Sequence, residues 1–142
     1  MRDVFGNLRE WGDIPEQIAE LREAGKLDEH QEGLLRILRY RANWRLRELA
    51  LKVVGELEAP CEEILSEILA ILADEGIYDE ARILASQALA DLLTKKDVNC
   101  GRDRGAVLGR AVGRIKMVLG SPQPPVVHHA VRKCLAAVCH AL

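Results

Sequence analysis

Apolar positions recur three and four residues apart along nearly the whole chain, the spacing that places side chains on one face of an α-helix. Seven such stretches are separated by helix breakers. The first runs from Asp13 to about Ala24; Asp13 and Glu16 have capping-box spacing, Pro15 suits a first turn and Gly25 stops the helix. Asp28 and Gln31 repeat the capping spacing before a second helix that ends near Arg41. Asn43 is placed to cap a third, Trp44 to Leu57. Pro60 precedes a fourth, which ends at Gly76, and Asp79 is placed to cap a fifth that ends at Leu93. A polar connection at 94–101 leads to a sixth helix, from about Asp103 to Leu119. Pro124 and Pro125 open a seventh from Val126 toward the last residues. Short connections make successive helices antiparallel neighbours. The stripes are wide. The fourth carries Ile64, Leu65, Ile68, Leu69, Ile71 and Leu72, more than one helix–helix seam needs, so it is covered on two sides, as in stacked layers.

Two of these stretches repeat each other. At an offset of 35 residues, Arg47, Leu49, Ala50, Val54, Glu56 and Leu57 meet Arg82, Leu84, Ala85, Leu89, Asp91 and Leu92. A further shift of 46 residues brings His128, Leu135 and Val138 onto Arg82, Leu89 and Leu92. Gly33 to Leu38 likewise line up with Ile64 to Leu69. A period of this size is the mark of stacked supersecondary units. At Asn43 to Leu51, followed by Gly55-Glu56-Leu57, the chain resembles the first helix of a HEAT-type repeat of the armadillo/HEAT class. The second copy lacks the Gly, and the third replaces the Arg with His128 and the acidic residue with Ala137. The resemblance spans residues 13–142. It implies an all-α fold, a right-handed α-α superhelix of about three and a half helical hairpins. Residues 1–142 would form one domain, with 1–12 as an N-terminal arm or cap. The second helix of each hairpin would line the concave side, the surface on which such repeats mostly bind macromolecules. A plain irregular helical bundle satisfies the same hydrophobic pattern.

Composition agrees with helices: 21 Leu and 17 Ala stand against one Thr and three Ser, which argues against an all-β protein. It also leaves few hydroxyl nucleophiles. No apolar run reaches membrane-spanning length, and the charged N-terminal stretch is unlike a signal peptide, so the expected compartment is the cytoplasm. Four irregularly spaced cysteines read as reduced thiols. The net charge of −2 conceals −9 over residues 1–93 and +7 over residues 94–142. Such a split can steer an anionic partner to one half or pair copies head to tail.

Candidate chemistry is sparse. Gly105, Gly109 and Gly113 fall on one face of the sixth helix, as expected where another helix comes close. Arg36, Arg39, Tyr40, Arg41, Trp44, Arg45 and Arg47 interleave base and aromatic, a pattern that can hold single-stranded nucleic acid; Trp44 also suits packing between repeats. His128, His129, Cys134, Cys139 and His140 lack a metal-ligand spacing, so no metal or other cofactor is expected. Neither a phosphate loop nor a nucleophile elbow is present. The expected role is therefore non-catalytic: binding a protein or peptide on the face of the even-numbered helices. Along that face Arg36 and Arg39, Glu63 and Glu67, then Arg110 and Arg114 alternate in charge. The other role weighed is nucleic-acid binding through the basic segment 94–142. Membrane binding is not expected, and self-association is a further possibility of the charge split.

Overall fold

The structure, a computed structural model, describes residues 3–95 and 104–141. Among these residues the regular structure is helical, with no strand. The helices are α1 (Ile14–Glu23), α2 (Gln31–Arg39), α3 (Trp44–Val54), α4 (Glu62–Ala73), α5 (Asp79–Leu93), α6 (Arg104–Leu119) and α7 (Pro125–Ala141). Short 3-10 turns at Trp11–Asp13 and Leu27–His30 precede α1 and α2. Most of the 94–101 connection, with Cys100 and Arg102, lies outside the described residues.

The helices pack in two rows. In one, α1 lies against α3, α3 against α5, and α5 against α7; in the other, α2 lies against α4 and α4 against α6. Between the rows, α2 packs on α3, α4 on α5, and α6 on α7. Each even helix therefore pairs with the odd helix that follows it, whereas the sequence register counted the odd helix as first of its pair. The wide stripes have their cause here. Ile64, Ile68, Ile71 and Leu72 of α4 are fully or nearly fully buried because α4 is covered by α2, α5 and α6. In α5, Ala85, Ala88, Leu89, Leu92 and Leu93 are buried between α3, α4 and α7, and the alanines let the neighbours approach closely.

Helix ends follow local chemistry, with three departures from the capping pattern, one of them at α5, where Asp79 is the first helical residue and the N-cap is Tyr78, with no side-chain capping bond. Gly25 adopts φ +67°, and Lys26 N–H donates to Leu21 C=O while Gly25 N–H donates to Arg22 C=O, so α1 ends in a Schellman motif. Asn43 Oδ1 accepts from Arg45 N–H at 3.1 Å and Leu46 N–H at 3.2 Å, closing the start of α3. Asn43→Ala is expected to lower stability by about 1 kcal/mol, with Asn43→Asp near wild type, read from urea unfolding midpoints. Asp13 occupies the N-cap of α1 but makes no side-chain capping bond. Asp28 and Gln31 do not form a capping box. They hold the distant α3–α4 loop instead: Asp28 accepts from Glu58 and Ala59 N–H, and Gln31 accepts from Cys61 N–H while donating to Ala59 C=O. Lys95 Nζ donates to Gly55 and Leu57 C=O, so the same loop is tied from both sides.

The 35-residue repeat has a bonded counterpart. Arg47 Nε donates to Leu38 C=O and Arg82 Nε to Leu72 C=O, both at 3.0 Å. Each carbonyl is the penultimate one of the even helix that precedes. At the third copy, where His128 replaces the Arg, Gln123 Nε2 takes the role and donates to Val118 C=O, the penultimate carbonyl of α6. Carbonyls in the last turn lack partners within their own helices, and the side chains supply a donor here, joined at Val118 C=O by Ser121 N–H at 3.2 Å.

Candidate functional site

The six residues singled out on the even-numbered helices sit on three adjacent helices, and neighbouring charges meet. Arg36 of α2 holds Asp3 of the N-terminal segment with Nε–Oδ2 at 2.6 Å and Nη2–Oδ1 at 2.9 Å. The Arg36 guanidinium holds the Asp3 carboxyl below its ordinary value, aided by Phe5 N–H. Arg39 of α2 reaches Glu67 of α4 at 3.4 Å, and Arg110 of α6 reaches Glu62, not Glu63, of α4 at 3.2 Å. Arg39 and Arg110 remain 56% and 59% exposed, a setting in which an ion pair contributes at most about 1 kcal/mol. Glu63 is exposed. Arg114 is exposed and has no carboxylate within ion-pair distance among the described residues.

Between α4 and α6 lies a cleft of about 200 Å³. Its floor is Leu65, Leu69, Leu89, Leu93, Val107 and Ala111; its rim is Glu62, Ser66, Arg110 and Arg114. The periodicity of α6 builds it. Val107 and Ala111 lie toward the core, so Arg110 and Arg114, three residues on from each, stand at the edge. An aliphatic group in this cleft would contact leucines below and a guanidinium above.

A larger groove of about 790 Å³ runs between α5 and α7. Ile83, Ala90, Val126, Ala130, Ala137 and Cys134 line it, with Asp91, His129 and Lys133 among its polar groups. Sequence reasoning missed this groove, because the only signal was the run of small residues on the facing sides of two helices. Burial pushes the Cys134 thiol up to about 11, which makes it a packed apolar group and not a nucleophile at neutral pH. Next to it, His128, His129, Arg132 and Lys133 border a concavity with Gln123 and Pro125, and none of its lining residues is a carboxylate.

Two expectations require correction. The glycine face of α6 is not filled by a neighbouring helix at Gly109 or Gly113: both are exposed, and a methyl group at either would meet no atom within 4 Å. Trp44 is not a buried packing residue. It is 53% exposed, stands edge-on to Tyr78 at 6.0 Å and is stacked by the Arg45 guanidinium at 5.3 Å. The Tyr78 hydroxyl is pushed up to about 12 by partial burial and by Glu48. Arg39, Tyr40 and Arg47 do not join that stack; Arg39 turns to Glu67 and Arg47 to Leu38 C=O.

Among the described residues, no group of three His, Cys, Asp or Glu side chains could hold a metal ion, and no helix is long and apolar enough to cross a membrane. Compared with known families, with curated proteins and with solved structures, the chain gives no match.

Proposed function

We propose that this chain is a HEAT-like helical repeat module that binds a protein or peptide without catalysis, through the face of α2, α4 and α6. The observation that carries this reading is the α4–α6 cleft, an apolar slot beside Arg114, a cation with no carboxylate of its own among the described residues. A peptide segment fits that chemistry when an aliphatic side chain enters the slot and a neighbouring Asp or Glu meets Arg114. The two-row packing, and the arginines that tie successive copies at equivalent carbonyls, support a superhelical stack over an irregular bundle.

The reading predicts that a displayed library of short peptides yields ligands with an aliphatic residue next to Asp or Glu. Arg110→Glu/Arg114→Glu should bind them about tenfold more weakly or worse, while losing only about 1 kcal/mol of stability, because both side chains are exposed and the one ion pair broken is Arg110–Glu62. Equal binding by the double variant would remove the even-helix face from consideration.

A second reading, nucleic-acid binding through 94–142, draws on the carboxylate-free concavity beside Arg132 and Lys133. It requires affinity that falls steeply with salt.

A further inference from the structure

The odd-numbered row has two outermost described helices, α1 and α7, and their exposed faces are opposite in charge. On α1, Ile14 and Ile18 are buried, so the reverse side of the helix presents Glu16, Ala19, Glu20 and Glu23, all exposed. No ion pair among the described residues engages these three carboxylates. On α7, Val127, Val131, Cys134 and Val138 are buried, so the reverse side presents His129, Arg132, Lys133, Ala136 and His140, all exposed. Arg132 and Lys133 likewise meet no carboxylate within ion-pair distance.

The two faces also share a small residue among their polar groups. The glutamates stand at i, i+4 and i+7 around Ala19; the bases stand at i, i+3, i+4 and i+11 around Ala136. Each face thus has a methyl group beside its charges, where a facing helix can approach closely. Within one molecule the two faces cannot meet, because α3 and α5 stand between α1 and α7 in the row.

We propose that the α7 face, which borders the α5–α7 groove at His129 and Lys133, docks a second copy of this chain through its α1 face. The contact is heterologous, so it leaves a free α1 face at one end and a free α7 face at the other and extends into short chains. Two helix faces bury less than the roughly 1,000 Å² of a stable interface, so association is weak, concentration-dependent and strongest at low salt.

Sedimentation velocity on nuclease-treated protein, from micromolar to millimolar concentration, tests this. At low salt the average mass should rise with concentration, and high salt should return it to monomer. Arg132→Glu/Lys133→Glu should be monomeric throughout, as should Glu16→Lys/Glu20→Lys. An equimolar mixture of these two variants should associate again, because reversal on both sides restores both contacts. Adding Arg41→Glu/Arg45→Glu, a reversal on another exposed surface, to the Glu16→Lys/Glu20→Lys chain itself should leave it monomeric. The proposal fails if wild type stays monomeric at millimolar protein and low salt. It fails equally if the Arg132/Lys133 variant associates like wild type, if the fourfold control variant associates as the matched mixture does, or if large particles exist only before nuclease and the α7 face is holding nucleic acid.

Discussion

Arg82→Ala is expected to lower folding stability by about 3–5 kcal/mol, the largest single-residue effect foreseen in this chain. Arg82 is 1% exposed. Its guanidinium donates to neutral acceptors: Nε to Leu72 C=O at 3.0 Å, and Nη2 to Gln123 Oε1 at 2.6 Å. No carboxylate pairs with it among the described residues. What compensates the buried charge is the C-terminal end of α4, where the helix dipole and its unpaired carbonyls favour a cation. Truncation has three costs in one place. A cavity opens at the centre of the α4–α5 packing, Leu72 C=O loses its donor, and Gln123 loses the partner that orients it toward Val118 C=O. Arg82→Met separates these. It keeps much of the volume and removes a buried charge, so its loss should be clearly smaller, about 1–2 kcal/mol. Arg47→Ala, at the equivalent carbonyl but with its side chain only half-buried, should also cost less. Urea unfolding midpoints at unchanged slope measure all three. A loss under about 1 kcal/mol for Arg82→Ala would mean that the Arg82–Gln123 link is incidental to the fold.

That pair also marks how far the sequence could be read. The alignment of Arg47 with Arg82 was legible from residue order, and the all-helical pattern with it, because a period of 3.6 survives in any packed helix. What the two arginines do was not legible. Both bond main-chain carbonyls, and a carbonyl carries no residue type to align. Gln123 was hidden for the same reason, since it takes the third copy's role from a loop position that matches neither Arg. Asp28 and Gln31 misled in the opposite direction. Their spacing is that of a cap, yet the α3–α4 loop comes within reach in three dimensions and competes for both side chains. At the candidate site the sequence placed Arg110 and Arg114 on one face. It could not show that Glu62 engages one of them and leaves the other beside an apolar cleft.

Gly33→Leu is expected to drive residues 3–8 off α2 and lower stability by about 1–3 kcal/mol. An added Cβ at Gly33 would stand 2.6 and 2.7 Å from ring atoms of Phe5 and 3.0 Å from Asp3 Oδ1. No rotamer of a larger side chain avoids that overlap, because the Cβ position belongs to the backbone. Phe5 and Leu8 are 4% and 5% exposed, and releasing them forfeits about 1.5–3 kcal/mol each of apolar burial. Part of this returns through the freed segment's backbone entropy and the better helix propensity of Leu over Gly. Trp11 reports the outcome, since it packs partly buried against the core while Trp44 is exposed; its emission should shift to the red. Acid supplies a second readout. Arg36 lowers the folded-state Asp3 value, so this pair stabilises the wild type at neutral pH, and the contribution is lost as pH falls through that lowered value. In the variant that acid-dependent loss should vanish. The consequence reaches the proposed binding face, because Asp3 occupies Arg36 as a partner's carboxylate would. With the segment released, Arg36 joins Arg114 as a cation open to a ligand, and peptides selected on the even-helix face should bind the variant more tightly than wild type. Unmoved Trp11 emission, with amides 3–8 still protected from exchange, would show that the ring rearranges around the new side chain and that the segment is held by more than the fit of Phe5 over Gly33.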